Sequence, residues 1–162
     1  MRFTLIDRIT SIERGRSISA VKNLSLAEEY LADHFPGFPV MPGVLMLEAM
    51  VQTAAWWIRF EEDFARSTIL LKQARAAKFT NFVSPGHTLI VSAEFQGWNG
   101  NECLFKASGT VDGNNAVSAK LTLECSNLAD RNPDLKVADA AQIQAARALF
   151  AQLWPGDRTA AA

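Results

Sequence analysis

Glu48 is the residue in this sequence most in need of an explanation. It stands among Val44, Leu45, Leu47, Ala49, Met50 and Val51, and an ionised carboxylate buried alone is costly unless it has a partner or a purpose. Gln52 follows one helical turn on, at i+4, where its amide can hydrogen-bond and orient the carboxyl group. His34 precedes them in a segment broken by Pro36, Gly37, Pro39, Pro42 and Gly43, and such a rigid loop can hold an imidazole in one orientation. Gly43 falls where the loop meets a helix. Its N–H belongs to the unpaired donors of the first turn, which together with the helix dipole favour a developing negative charge. A base, an acid and an oxyanion site form the set that an elimination next to a carbonyl requires. Each residue also has a plainer reading: Glu48 reaching the surface or pairing with a distant arginine, His34 simply solvated. His87, after Ser84-Pro85-Gly86, reads as an exposed turn residue.

These residues need elements to position them. From Val44 to about Glu62 there is no proline or glycine and good helix formers dominate. The helix is apolar nearly all round until Arg59, so it belongs in the middle of something. Strands surround it in sequence. Phe3 to Glu13 and Ser17 to Leu24 read as two, Ser67 to Lys78 as another, with a short helical stretch from Leu26 to Ala32. Leu89 to Gln96, Cys103 to Val111 and Val117 to Glu124 alternate apolar and polar with a period of two. Asp112-Gly113-Asn114-Asn115 signals a tight hairpin, and Pro85-Gly86 another turn. The fold class is α+β: an antiparallel sheet curled around one apolar helix is the hot-dog architecture, although periodicity alone permits other arrangements. Residues 1–127 make this domain. Residues 128–162 are a polar linker, a C-terminal amphipathic helix with Ile143, Ala146, Phe150 and Leu153 at helical spacing, and a tail. Asp139 and Gln142 resemble a capping box for that helix, Pro155-Gly156 ends it, and the tail from Thr159 to Ala162 reads as unstructured.

Composition excludes several classes. Roughly half of the residues are apolar and a fifth charged, an ordinary globular balance. A net charge of −1 argues against a nucleic-acid partner bound by phosphate neutralisation. Cys103 and Cys125 have neither CxxC spacing nor a histidine cluster beside them, so they suit a reducing compartment and neither a disulfide framework nor a zinc site. The charged N-terminus is no secretory signal. The apolar run from Val40 to Ile58, interrupted by Pro42, Gly43, Glu48 and Gln52, is marginal in length for a bilayer. A cytoplasmic protein without a membrane span is the expectation.

The run from His34 to Gln52, His-Phe-Pro-Gly-Phe-Pro-Val-Met-Pro-Gly-Val-Leu-Met-Leu-Glu-Ala-Met-Val-Gln, closely resembles the signature of the FabZ-type 3-hydroxyacyl-acyl carrier protein dehydratases. Phe3-Thr-Leu-Ile-Asp-Arg, Ser19-Ala-Val-Lys-Asn, Ala77-Lys-Phe and Val83-Ser-Pro-Gly look like further segments of that family, so the resemblance covers about residues 3 to 126. It implies a hot-dog homodimer with active sites at the subunit interface, His34 of one chain facing Glu48 of the other, and often a trimer of dimers. It implies dehydration of a (3R)-hydroxyacyl chain held on phosphopantetheine, by an acyl carrier protein or coenzyme A. His34 would act as base, Glu48 as acid, Gly43 N–H as the donor to the thioester carbonyl and Gln52 as the orienting amide, with no metal or redox cofactor. Met46, Met50, Trp56 and Trp57 are candidates for the wall of an acyl tunnel, though plain core packing serves each equally well. Lys72, Arg75 and Lys78 are candidates for meeting an acidic carrier.

The chain departs from the family pattern in three places. Asp33 stands before His34 where glycine is usual, Thr80-Asn81-Phe82 replaces a basic segment at the tunnel mouth, and the C-terminal helix lies beyond the usual core. These leave room for a specialised pathway, such as polyketide or unusual-lipid synthesis. Isomerising relatives place Asp where this chain has Glu48, so dehydration alone is expected. The alternatives are a thioesterase on the same fold, which would not require a histidine so placed, and a non-catalytic carrier-binding subunit, which commonly loses one of the pair. The Asp-x-Asn-Pro-x-His motif of another hydratase type is absent.

Overall fold

The computed structural model describes residues 3–35 and 37–155. Six strands, β1 (Arg8–Glu13), β2 (Ser17–Asn23), β3 (Thr68–Phe79), β4 (Thr88–Asn99), β5 (Glu102–Val111) and β6 (Asn114–Ser126), form one antiparallel sheet in the order β1-β2-β4-β5-β6-β3. Two helices accompany it, α1 (Gly43–Glu61) and α2 (Lys136–Leu153), with short 3₁₀ turns at Glu29–Leu31, Leu128–Asp130 and Pro133–Leu135. This is the hot-dog arrangement that the residues foretold.

The inner face of the sheet follows from the alternation. Leu89, Val91 and Ala93 of β4, Cys103, Phe105 and Ala107 of β5, and Val117, Ala119, Leu121 and Leu123 of β6 are all buried and pack with Met46, Ala49, Met50, Ala54, Trp57 and Ile58 of α1 into one core. Cross-strand pairs of small residues, Ala93↔Ala107 and Ala107↔Ala119, let the helix approach. At Gly109 a Cβ would lie 2.8 Å from Val117 Cγ1 and 3.0 Å from Leu89 Cδ1, so only glycine fits. Asp112 and Gly113 take positive φ, 51° and 79°, as a two-residue hairpin turn with the sheet's right-handed twist demands. Cys103 and Cys125 lie on this inner face as free thiols. Burial pushes both up, Cys125 to about 12, so they act as small apolar side chains.

Four expectations need correction. The first strand begins at Arg8, not Phe3, because the groups of Phe3 and Leu5 are engaged elsewhere: Leu5 N–H donates to Gln52 Oε1 at 2.9 Å and Phe3 O accepts from Gln52 Nε2 at 3.1 Å. The stretch from Leu26 to Ala32 yields only the 3₁₀ turn Glu29–Leu31. The helix α1 is buried all round only in its second half. Val44 is 68% exposed, while Leu45, Leu47, Glu48 and Gln52 are half-buried. Asp139 caps nothing by a capping box. It lies inside α2, whose N-cap is Leu135, and its carboxylate instead accepts the Ser67 hydroxyl and the N–H groups of Leu128 and Ala129, both at 2.9 Å. Residues 156–162, with the expected tail, lie outside the described residues.

Candidate active site

The loop that carries His34 leaves the turn Glu29–Leu31 and runs back to the core at Val40 and Met41, each 1% exposed. Met41 N–H donates to Val83 O at 2.8 Å. Within the loop Phe35 takes a φ of 53° and Gly37 one of 91°; a bulky residue in the left-handed region is strained and is held there by its surroundings. Phe38 N–H closes the turn onto Phe35 O at 2.8 Å. His34 is half-buried, with its ring edge-on to Phe35 at 4.4 Å between centroids.

The loop ends at Pro42, the N-cap of α1, whose carbonyl accepts the N–H groups of Leu45 and Met46. The N–H groups of Gly43 and Val44 find no acceptor among the described residues, which leaves the Gly43 donor and the positive end of the helix dipole beside the cavity. The ring of Phe79, the last residue of β3, lies against Gly43. A Cβ at Gly43 would be 3.0 Å from Phe79 Cδ1 and 3.2 Å from Cε1. His34, Gly43, Met41, Met46, Phe79 and the segment Thr80–Phe82 line one cavity of about 420 Å³.

Glu48 is placed by Gln52. Leu5 N–H occupies Gln52 Oε1, which fixes which end of the amide is oxygen, and Nε2 then reaches both Phe3 O and Glu48 Oε1, the latter at 3.0 Å. Glu48 does not line the cavity that holds His34. Within one chain, then, the histidine and the helix amide come together, while the glutamate presents itself on the open face of α1. Glu48 is half-buried and hydrogen-bonded rather than enclosed by apolar groups.

Of the wall candidates, only Met46 lines the cavity. Met50 is fully buried. Trp57 stacks on Phe95 at 4.7 Å and donates from Nε1 to Glu13 O at 2.9 Å, and Trp56 packs against Phe150 of α2. These three fill the core. Lys72 and Arg75 line a separate groove of about 810 Å³ on the outer face of the sheet with Lys106 and Lys120. Lys72 is hydrogen-bonded there to Glu102, which raises its ammonium above the ordinary lysine range. Lys78 is exposed on β3 beside Phe79. His87 is exposed after the Pro85-Gly86 turn, as expected; its Nδ1 lies 2.8 Å from Asp112 Oδ2, and its carbonyl accepts from Leu24 N–H. Thr80–Phe82, which the family resemblance set at the tunnel mouth, do line the cavity, whereas reading the sequence missed Phe79 as a cavity residue. The available signal was the end of β3 falling opposite the start of α1, which alternation in β3 does not reveal. Among the described residues, no group of three or more His, Cys, Asp or Glu is placed to hold a metal ion, and no helix is long and apolar enough to cross a membrane.

Residues 1–120 match the FabA-like domain family. The chain is 41% identical over 118 residues to the 3-hydroxyacyl-[acyl-carrier-protein] dehydratase FabZ of Latilactobacillus sakei, covering 73% of this chain and 84% of that enzyme. It is 34% identical over 126 residues to the FabZ of Listeria monocytogenes, covering 78% and 88%. The alignment with the FabZ of Wolbachia pipientis is shorter, 39% identical over 94 residues, and spans 58% of this chain and 66% of that relative. Among solved structures, the dehydratase heterocomplex ApeI:P from Xenorhabdus doucetiae superposes with a TM-score of 0.68 at 16% identity, over 83% of this chain and 90% of that one. A Streptococcus mutans protein bound to acetyl CoA gives 0.58 at 12% identity, over 78% and 93%. Helix α2 lies wholly beyond the matched residues 1–120. The shared residues reach from the first strand through the His34 loop, α1 and most of the sheet, and the chain belongs to the FabA-like family, among its FabZ-type dehydratases.

Proposed function

We propose that this protein dehydrates 3-hydroxyacyl thioesters, carried on an acyl carrier protein, to trans-2-enoyl thioesters in acyl-chain biosynthesis. The observation that carries the reading is that His34 and Gly43, the first residue of α1, line one cavity, while Gln52 holds Glu48 on the same helix.

The chemistry assigned to each group follows from its place. The thioester carbonyl accepts the Gly43 N–H, so that charge developing on its oxygen is met by a fixed donor and by the helix dipole. His34, neutral, takes the C2 proton. The C2–H pair becomes the C2=C3 double bond, the C3–O bond breaks, and Glu48 in its acid form gives its proton to the departing hydroxyl, which leaves as water. Passing the proton from His34 to Glu48 through solvent resets the pair. These residues supply an acid, a base and an oxyanion donor, which is what the elimination asks for.

In this reading Glu48 comes from a second copy. Two features support a homodimer: the open face of α1 from Val44 to Gln52, and the outer edge of β3, a sheet edge with unpaired backbone groups and the exposed Leu70, Leu71 and Phe79. Arg75 and Lys78 on that strand are the cations offered to an acidic carrier, and the phosphopantetheine belongs to the substrate. A cytoplasmic setting goes with this role.

The test is an enoyl-thioester hydration–dehydration assay on the wild type, His34→Ala and Glu48→Gln, with folding and oligomeric state measured beside it. General acid–base groups contribute about 10²- to 10⁴-fold, so both variants should fall by that order. Wild-type rates in either variant, or thioester cleavage by the wild type without water exchange, would overturn the assignment.

A further inference from the structure

Lys22 stands on the inner face of β2, in phase with Ile18 and Ala20, and is only 6% exposed. An ammonium so placed needs carboxylates, and it has two. Its Nζ lies 2.6 Å from Glu28 Oε1 and 3.6 Å from Asp7 Oδ1. Asp7 is tied to β2 itself, accepting Asn23 N–H at 2.6 Å and donating its own N–H to Val21 O at 2.8 Å. Glu28 belongs to a different part of the chain. Its N–H donates to Ser25 O and its carbonyl accepts Leu31 N–H, so it opens the turn Glu29–Leu31 from which the His34 loop departs. Tyr30 of that turn brings its buried hydroxyl near both carboxylates, and burial, then Glu28 and Asp7, hold the phenol well above its ordinary range, as a neutral group.

His34 has no polar anchor of its own. Its imidazole makes no hydrogen bond to any described residue, and Phe35 beside it is strained. The direction of the ring is therefore set by the two ends of the segment. Downstream, Met41 is fastened to Val83. Upstream, the fastening is the Lys22–Glu28 pair.

We propose that Lys22, through Glu28, is a positioning residue for His34. The buried ion pair fixes the turn, and the turn fixes where the imidazole meets the cavity. Lys22 does not line that cavity and touches no reacting atom. The inference rests on the dehydratase reading for its effect on rate, though not for its effect on the ring.

The primary variant is Glu28→Gln, at a side chain that is 23% exposed and so tolerant of the loss of charge. Lys22→Met combined with Glu28→Gln removes both charges of the short pair together and leaves only the more exposed Asp7, which keeps its bond from Asn23 N–H. Two readouts are taken: kcat and KM for the thioester, and the ¹H–¹⁵N resonances of the imidazoles, with His34 assigned from the spectrum of His34→Ala. Displacing a catalytic group by about 1 Å costs on the order of 10²-fold, so kcat should drop about 10- to 100-fold with KM little changed. The His34 resonances should shift or broaden while those of His87 stay put. Adding Glu28→Gln to His34→Ala should cost nothing further, because both changes act through one ring. A folded Glu28→Gln protein with wild-type kcat and an unmoved His34 resonance overturns the proposal, and so does a further loss on top of His34→Ala. If the wild type itself shows no turnover, the dehydratase reading fails, and the His34 resonance alone then decides for or against the brace.

Discussion

At the far end of α1, Trp56, Trp57 and Ile58 are buried, and Phe60 and Phe64 are closed over by Phe150 of α2 at 5.9 and 5.5 Å between ring centroids. Arg147 completes that end, donating to Asp63 O at 2.6 Å with its guanidinium 4.6 Å above Phe64. At the near end, Val44, Phe35, Phe38 and Phe82 are each more than half exposed, and Glu48 looks out from an uncovered face. One chain thus closes the end of the helix that carries Trp56 and Trp57 and leaves open the end that carries the proposed catalytic residues. A cluster of exposed aromatic and aliphatic side chains around the catalytic candidates marks a surface meant to be covered. The polar groups there are already held in place by Gln52 and by the loop. In the proposed dimer, a second copy would complete a site whose polar groups are already held.

The largest effect is expected when the two proposed catalytic groups are separated onto different chains. His34→Ala and Glu48→Gln proteins, each inactive, are mixed and allowed to exchange subunits. If each site takes one residue from each copy, half the dimers are mixed and one of their two sites is intact, so about a quarter of wild-type activity returns. No recovery after demonstrated exchange would mean that His34 and Glu48 work within one chain, contrary to the open face on α1.

How far the residues foretold this contrast depends on the range of the interactions. The helix α1 and strands β4 to β6 were legible because each rests on a local period, and the β5–β6 turn because Asp112 and Gly113 carry the positive φ values themselves. Gln52 was read correctly as a neighbour of Glu48, one turn away. What stayed hidden was non-local. Asp139 looked like a cap because its sequence neighbours allow one, whereas its partners are Ser67 and the 3₁₀ turn at Leu128. Trp56 and Trp57 could face a ligand or the core with the same periodicity, and only the arrival of Phe150 and Phe95 decides it. The loss of ladder bonds before Arg8 traces to a side-chain amide in another element. The half-exposed first turns of α1 were unreadable for a further reason: a run of apolar residues looks the same whether its own chain or a second one covers it.

A smaller effect is expected where the near end is tightest. In Gly43→Ala the new Cβ meets the Phe79 ring at 3.0 Å, so the ring must move across the mouth of the cavity while the backbone N–H is retained. The variant should lose about tenfold in kcat/KM, in line with the larger losses seen when a positioned group is displaced by about 1 Å. Phe79→Ala in the same chain should restore most of it, since the clash is with that ring alone. A loss that Phe79→Ala does not relieve would place the role of Gly43 in backbone conformation instead of in the space it leaves. At the other end, Phe150→Ala should lower stability by about 2 kcal/mol through lost aromatic packing, read from thermal unfolding, with kcat unchanged. A fall in kcat comparable to that of Gly43→Ala would show that the two ends are coupled.

The mildest effect concerns how α2 is fastened, and it carries a pH signature. The Ser67 hydroxyl, with the N–H groups of Leu128 and Ala129, holds the Asp139 carboxyl below the ordinary carboxylate range, and burial opposes this only in part. A carboxyl lowered in the folded state contributes stability that is fully present above its unfolded value, about 3.9, and is lost as pH falls through its folded value. Neutral solution is therefore where the wild type holds α2 best, and the contribution fades in acid below about pH 4. Asp139→Asn keeps an acceptor oxygen but no charge, so it should unfold at a lower temperature than the wild type at pH 7 while dehydrating substrate at the wild-type rate. As the pH is lowered past the folded value the two melting temperatures should converge, because the wild-type carboxyl has then been neutralised as well. A gap that stays constant from pH 7 down to pH 3 would show that Asp139 acts through shape alone, and that the charge-assisted bonds to Ser67, Leu128 and Ala129 add nothing to the closure of the far end.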